Sequence, residues 1–133
     1  MPVPRPAVPF GLLAAVALTC AACHDARRVN PFDPELTPAV EPRVTLIDSS
    51  GVAIVTWQPY AGTADFAEYR VLRNQVNSTL VDTLARVVDM TATSFADTTL
   101  APDTRYEYRV AVVNTGGFES PSPAQPVAGF GVD

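Results

Sequence analysis

Two cysteines three positions apart, a single histidine and fourteen carboxylates are the side chains of this 133-residue sequence that could do chemistry. Thr19-Cys20-Ala21-Ala22-Cys23-His24 carries the Cys-x-x-Cys spacing of redox dithiols and of half a zinc site. A redox pair belongs at a helix start after a strand, where the dipole lowers the thiol pKa, and a zinc site needs a second pair of ligands. This pair instead ends an apolar run, and the sequence has no third cysteine. Nucleophilic catalysis requires a base beside the nucleophile, and His24 lies far from the patterned part of the chain. Two acids that hydrolyse a glycoside must face each other across a cleft. Asp97 and Asp103 flank a turn instead, where carboxylates cap backbone N–H groups. Phosphate-loop and calcium-loop spacings are missing, and the Asn77-Ser78-Thr79 sequon is given no role. These residues predict a chain that is not an enzyme and uses no metal or cofactor.

The element that carries the cysteines has the pattern of an export signal. Met1 to Pro9 is proline-rich with one cation, Arg5, and Phe10 to Leu18 is a continuous apolar run. That run is about half the roughly 20 residues a membrane-spanning helix needs. A positive start, a short apolar stretch and then small residues is the layout of a secretory signal peptide. The segment Thr19–Cys23 resembles a bacterial lipobox, which implies cleavage before a cysteine that then carries lipid. Cys23, preceded by Ala21 and Ala22, is the favoured lipidation site, and Cys20, preceded by the bulkier Thr19, is the alternative. The expectation is a lipoprotein signal peptide over 1–22 and an exported chain, lipid-anchored to the periplasmic or cell-surface face of the envelope.

Without residues 1–22 the chain has eight Arg, no Lys and fourteen acids, a net charge of −6. An acidic chain with no basic stripe excludes nucleic acid as a partner and disfavours adsorption to anionic lipid. No cysteine remains beyond Cys23, so a domain there holds by packing without a disulfide.

Residues 23–41 are read as the lipidated cysteine and a proline-rich tether. Pro31, Pro34 and Pro38 stand among mixed charges with no apolar period. Eighteen extended residues would reach about 55 Å at roughly 3.1 Å each. Asn30-Pro31-Phe32-Asp33-Pro34 resembles stretches that follow the lipidated cysteine in bacterial lipoproteins. It is read as spacer, with a docking motif around Phe32 as the alternative.

Residues 42–131 alternate between strand and turn. Arg43–Ile47 precedes the turn cluster Asp48-Ser49-Ser50-Gly51, and Val52–Trp57 is rich in β-branched residues. Phe66–Arg73 follows a polar loop. Arg105–Val113 places Tyr106, Tyr108, Val110 and Val112 on one face, a period of two. Asn74–Thr91 is less regular, and Leu80–Leu84 competes with Arg86–Val88 for one strand. Arg73 falls on an inward position, from which its head could extend beyond the strand end. Short strands, turn clusters and no helical stretch predict an all-β antiparallel sandwich.

Several motifs resemble the fibronectin type III family in order and spacing. Trp57 after alternating small and branched residues, then Glu68-Tyr69-Arg70-Val71, resembles strands B and C. Leu100, Pro102, Thr104 and Tyr106 match the Leu-x-Pro-x-Thr-x-Tyr spacing of the E–F corner, and Tyr108–Asn114 with Gly116 and Gly117 resembles strand F and the F–G turn. The resemblance implies a seven-stranded, immunoglobulin-like β-sandwich. In it Trp57, Tyr69, Leu100, Pro102 and Tyr106 are structural, with Trp57 between the sheets and Tyr106 as a tyrosine corner.

Recognition then falls to the surface. The B–C loop (58–65) and the F–G loop (114–121) share a pole with the domain's N-terminus, and Tyr60 and Phe118 in them are the candidate binding residues. The bland alternative is that both fold back onto the sandwich edge. Glu68, Arg70, Arg105, Glu107 and Arg109 form a ladder of mixed sign, read as sheet-stabilising pairs, with a charged docking face as the alternative. The expected function is a membrane-anchored, non-enzymatic binding or adhesion module for an envelope protein or glycan. The alternative is a structural or accessory scaffold subunit of an envelope or secretion complex.

Overall fold

The computed structural model describes residues 2–7, 30–47 and 50–127. The apolar run of the expected signal peptide, Cys20, Cys23 and residues 128–131 of the expected domain lie outside them. The strands are β1 (Arg43–Ile47), β2 (Val52–Thr56), β3 (Phe66–Gln75), β4 (Asp82–Val87), β5 (Ser94–Asp97), β6 (Tyr106–Asn114), β7 (Glu119–Pro121) and β8 (Gln125–Val127). One sheet has the order β1-β2-β5, and the other β4-β3-β6-β7 with β8 also paired to β6. Every pairing is antiparallel.

Alternation sets the layers. Ala53 and Val55 of β2, Tyr69 and Val71 of β3, and Tyr108 and Val110 of β6 are all fully buried between the sheets. Their neighbours along each strand face outward, as a pleat of period two requires. The β1–β2 hairpin closes at Gly51, whose φ of 63° is in the left-handed region that glycine adopts without strain. Ile47 O there accepts the N–H of Ser50 and of Gly51, each at 3.1 Å.

Eight strands stand among the described residues where seven were expected. The extra one arises because the last edge strand breaks between β7, paired to residues 111–113, and β8, paired to residues 106–108. Pro121, Pro123 and Pro126 have no N–H to give a ladder, which confines such a segment to an edge. At the break the Ser122 hydroxyl accepts the Val110 N–H at 2.9 Å. The irregular stretch after β3 resolves into a single strand, β4, which takes residues from both competing segments. It carries a bulge where Val71 pairs with Ala85 and Leu72 with Thr83.

The tether boundary at residue 41 needs correction. Val40 is 6% exposed and part of the core, and Thr37 is fully buried. Residues 30–37 form two successive tight turns, with Asp33 N donating to Asn30 O at 3.0 Å and Leu36 N to Asp33 O at 3.1 Å. Each turn has Asn or Asp first and Pro second, and the Asx side chains cap them by accepting from Phe32 N and Glu35 N. These prolines therefore bend the segment back onto the sandwich instead of extending it.

Candidate functional site

Strand direction brings the B–C loop, the β6–β7 turn and the N-terminal arm (30–41) to one pole. Thr115 N donates to Asp65 O across the two loops at 2.9 Å. Asn114, 2% exposed at the end of β6, ties the arm down. Its amide donates to Pro31 O at 2.6 Å and to Thr37 Oγ1 at 2.9 Å, while its carbonyl oxygen accepts the Phe118 N–H at 3.0 Å. Leu36 O is the second fastening, accepting from Thr63 N, Ala64 N and the Tyr60 hydroxyl. Gly116 and Gly62 complete the fit. A Cβ at Gly116 would collide with the Pro31 ring, and one at Gly62 with the Tyr60 hydroxyl and Leu36 O.

Tyr60 and Phe118 part company here. Tyr60, expected as a loop aromatic open to a partner, is 7% exposed. Its ring lies against Phe66 at 5.8 Å and its hydroxyl bonds two carbonyls, Leu36 O and Ala64 O. It is a fastening for the arm, because the arm supplies an acceptor, Leu36 O, that draws its hydroxyl inward. Phe118 is half-buried and meets Phe32 edge to face at a centroid distance of 6.4 Å. Phe32 itself is 58% exposed. An aromatic pair with one open ring thus caps the pole, next to a depression of about 280 Å³ bordered by Pro31, Asp65 and Gly116. A tether over residues 23–41 leaves Asn114 and Thr37 without a role; the Asn-Pro and Asp-Pro dipeptides are the local signal of the turns that give them one.

The five structural residues lie as follows. Trp57 is 6% exposed and meets Tyr69 at 5.3 Å. The Tyr69 hydroxyl accepts Tyr60 N at 2.7 Å and donates to Met90 O at 2.8 Å. Tyr106 accepts Ala101 N at 3.0 Å, closing the corner in which Asp103 takes a φ of 57°. Leu100 packs against the core, and Pro102 is an exposed turn residue. Cys23 and Cys20 lie outside the described residues.

The second polar constellation is internal. Asp97 of β5, 2% exposed, accepts from Arg73 and from the Tyr108 hydroxyl, both at 2.7 Å on one oxygen. Its other oxygen takes the Thr99 N–H at 2.9 Å and the Thr99 hydroxyl at 2.7 Å. Burial pushes the Asp97 pKa up, but the bonds from Tyr108, Thr99 and Arg73 outweigh it and hold the carboxyl below its usual range. Burial, then the adjacent carboxylate, pushes the Tyr108 hydroxyl well above the ordinary phenol value. Arg73 also lies over the Tyr106 ring at 4.8 Å. Its inward parity is thereby explained: the guanidinium crosses to the other sheet. On the outer face, Arg70 joins Glu68 at 2.6 Å and Glu119 at 2.9 Å, and Ala111, opposite Arg70 in the ladder, is fully buried. Arg109 pairs with Glu107 at 3.8 Å and bonds Asn74, and Arg105 is exposed ahead of β6.

Among the described residues no cluster of three His, Cys, Asp or Glu is placed to hold a metal, and no helix is long and apolar enough to cross a membrane.

Comparison with known proteins adds the following. Residues 37–128 match the model of the fibronectin type III domain. No curated protein matches the chain. An Fn3-like protein from Clostridium thermocellum is similar at 24% identity and a TM-score of 0.55, over 74% of this chain and 98% of that one. The fn3 domain of human contactin 1 has 20% identity and a TM-score of 0.60, over 73% and 82%. Pectate lyase PelI from Erwinia chrysanthemi, solved with tetragalacturonic acid, has 20% identity and a TM-score of 0.58, over 68% of this chain. This chain spans only 28% of that enzyme.

Proposed function

The chain belongs to the fibronectin type III family, commonly a binding or scaffold module, and on that premise we propose a non-enzymatic binding module lipid-anchored at a bacterial cell envelope. In this reading residues 1–22 direct export, Cys23 carries the lipid, and the domain presents its surfaces to an envelope protein or glycan. The observation that carries it is the docked arm. The N-terminal segment is folded into the pole by Asn114 and Tyr60, which in this reading leaves residues 24–29 between the anchor and the docked arm instead of eighteen. Seven Cα steps separate Cys23 from Asn30, about 25 Å at full stretch. A domain built to be held close to its anchor fits this arrangement better than one that roams.

The test is palmitate labelling and fractionation in a bacterial host. The wild-type chain is expected to take label and sediment with membranes, and Cys23→Ser to lose both. Retained label in Cys23→Ser that disappears in Cys20→Ser moves the anchor to Cys20. Absence of label in all three contradicts the reading.

A further inference from the structure

We propose that the Phe32–Phe118 pole docks on the surface of a zwitterionic phospholipid leaflet, a second membrane contact beside the lipid anchor. The inference rests on the lipid-anchored reading. Three observations carry it. The chain outside the structure leads from this pole, and its 24–29 link confines the pole to within about 25 Å of Cys23. A contact too weak to act in solution is sufficient at the local concentration such a short link imposes. At the pole's tip, the Phe32 ring is 58% exposed yet held edge-on by Phe118 at 6.4 Å, on an arm fixed by buried Asn114. A rigid aromatic loses little freedom on entering an interface, and apolar rings seat at the headgroup boundary.

Charge selects the lipid. Residues 30–41, 58–65 and 114–121 contain no Lys or Arg, and Glu35 and Asp65 are exposed there. An acid-rimmed pole is repelled by an anionic leaflet. The ammonium of phosphatidylethanolamine complements these carboxylates, and Asp65 borders the depression beside Pro31 and Gly116. The opposite pole, with the β3–β4 turn and the E–F corner, then points away from the membrane, which leaves it to an envelope partner.

The experiment reconstitutes the lipidated full-length mature protein in phosphatidylethanolamine/phosphatidylcholine vesicles, its anchor verified by mass. A spin label is placed at Thr115→Cys, exposed on the β6–β7 turn, or at Thr79→Cys on the opposite pole. Collision with oxygen over a water-soluble nickel complex is expected to exceed the Thr79 value at least threefold at Thr115. Phe32→Ser and Phe118→Ser are each expected to return Thr115 to the Thr79 value. Replacing a third of the lipid with phosphatidylglycerol is expected to halve the excess at Thr115. With the lipid in place, a water-like label at Thr115 overturns the docking while leaving the anchor intact. A mature chain without lipid overturns both.

Discussion

Asp97→Ala removes a buried carboxylate that joins the two sheets. The Tyr108 hydroxyl, fully buried, and Thr99 lose their acceptor, and the Arg73 guanidinium, whose side chain is only 13% exposed, loses its closest one while keeping Thr99 Oγ1 at 2.9 Å and Asp82 at 3.7 Å. Deleting one partner of a buried ion pair costs about 3–5 kcal/mol when the other is left uncompensated, and with Asp82 still beside Arg73 the low end of that range applies. For a domain of this size each kcal/mol shifts the midpoint by about 4–8 °C, so thermal unfolding is expected to fall by at least about 12 °C. Chemical denaturation of both proteins at pH 7, followed by Trp57 fluorescence, measures the difference directly. The added substitution Arg73→Met is expected to restore part of the loss, since the cation that lost its closest partner goes with it. The pH dependence has a fixed sign. Because the folded Asp97 pKa lies below the unfolded value, its contribution is present in full above about pH 4–5. It is lost as pH falls through the folded pKa, so the gap between wild type and Asp97→Asn must narrow only in acid. A cost below about 1 kcal/mol, or a gap that does not vary with pH in acid, would refute the reasoning.

Three further outcomes follow from the same contacts. Trp57 Nε1 is buried with no hydrogen-bond partner among the described residues, so Trp57→Phe is expected to cost under about 1.5 kcal/mol against about 3–5 for Trp57→Ala in denaturant melts. Tyr60→Phe removes the hydroxyl that serves Leu36 O and Ala64 O and is expected to cost about 1 kcal/mol, with faster amide exchange at Ala64. Gly116→Ala forces the Pro31 ring away and is expected to expose Thr37 to exchange while β3 and β6 keep their protection; unchanged exchange at Thr37 would mean the arm is not held there.

The sandwich was legible because its signals are local. Period-two alternation in Arg105–Val113 and the Leu100–Tyr106 corner need only neighbouring residues, and β6 and the Tyr106 bond to Ala101 follow from them. The break between β7 and β8 was less legible, since Ser122 substitutes for the ladder only once it is placed opposite Val110. The pole was misread at its arm. Prolines among charges suggest extension, but Asn30-Pro31 and Asp33-Pro34 also open tight turns. The choice was settled by Asn114, 77 residues beyond Thr37 and invisible to any local window. Tyr60 changed role for the same reason. The Arg73–Asp97–Tyr108 cluster was half visible, as an inward arginine without an assigned partner.

The most direct test of the anchored domain is the mass of its mature N-terminal peptide. The expected peptide begins at Cys23, carries a diacylglyceryl thioether and continues into His24 and Asp25. A peptide that retains residues before Cys20, or a mature terminus with an unmodified cysteine, would contradict it.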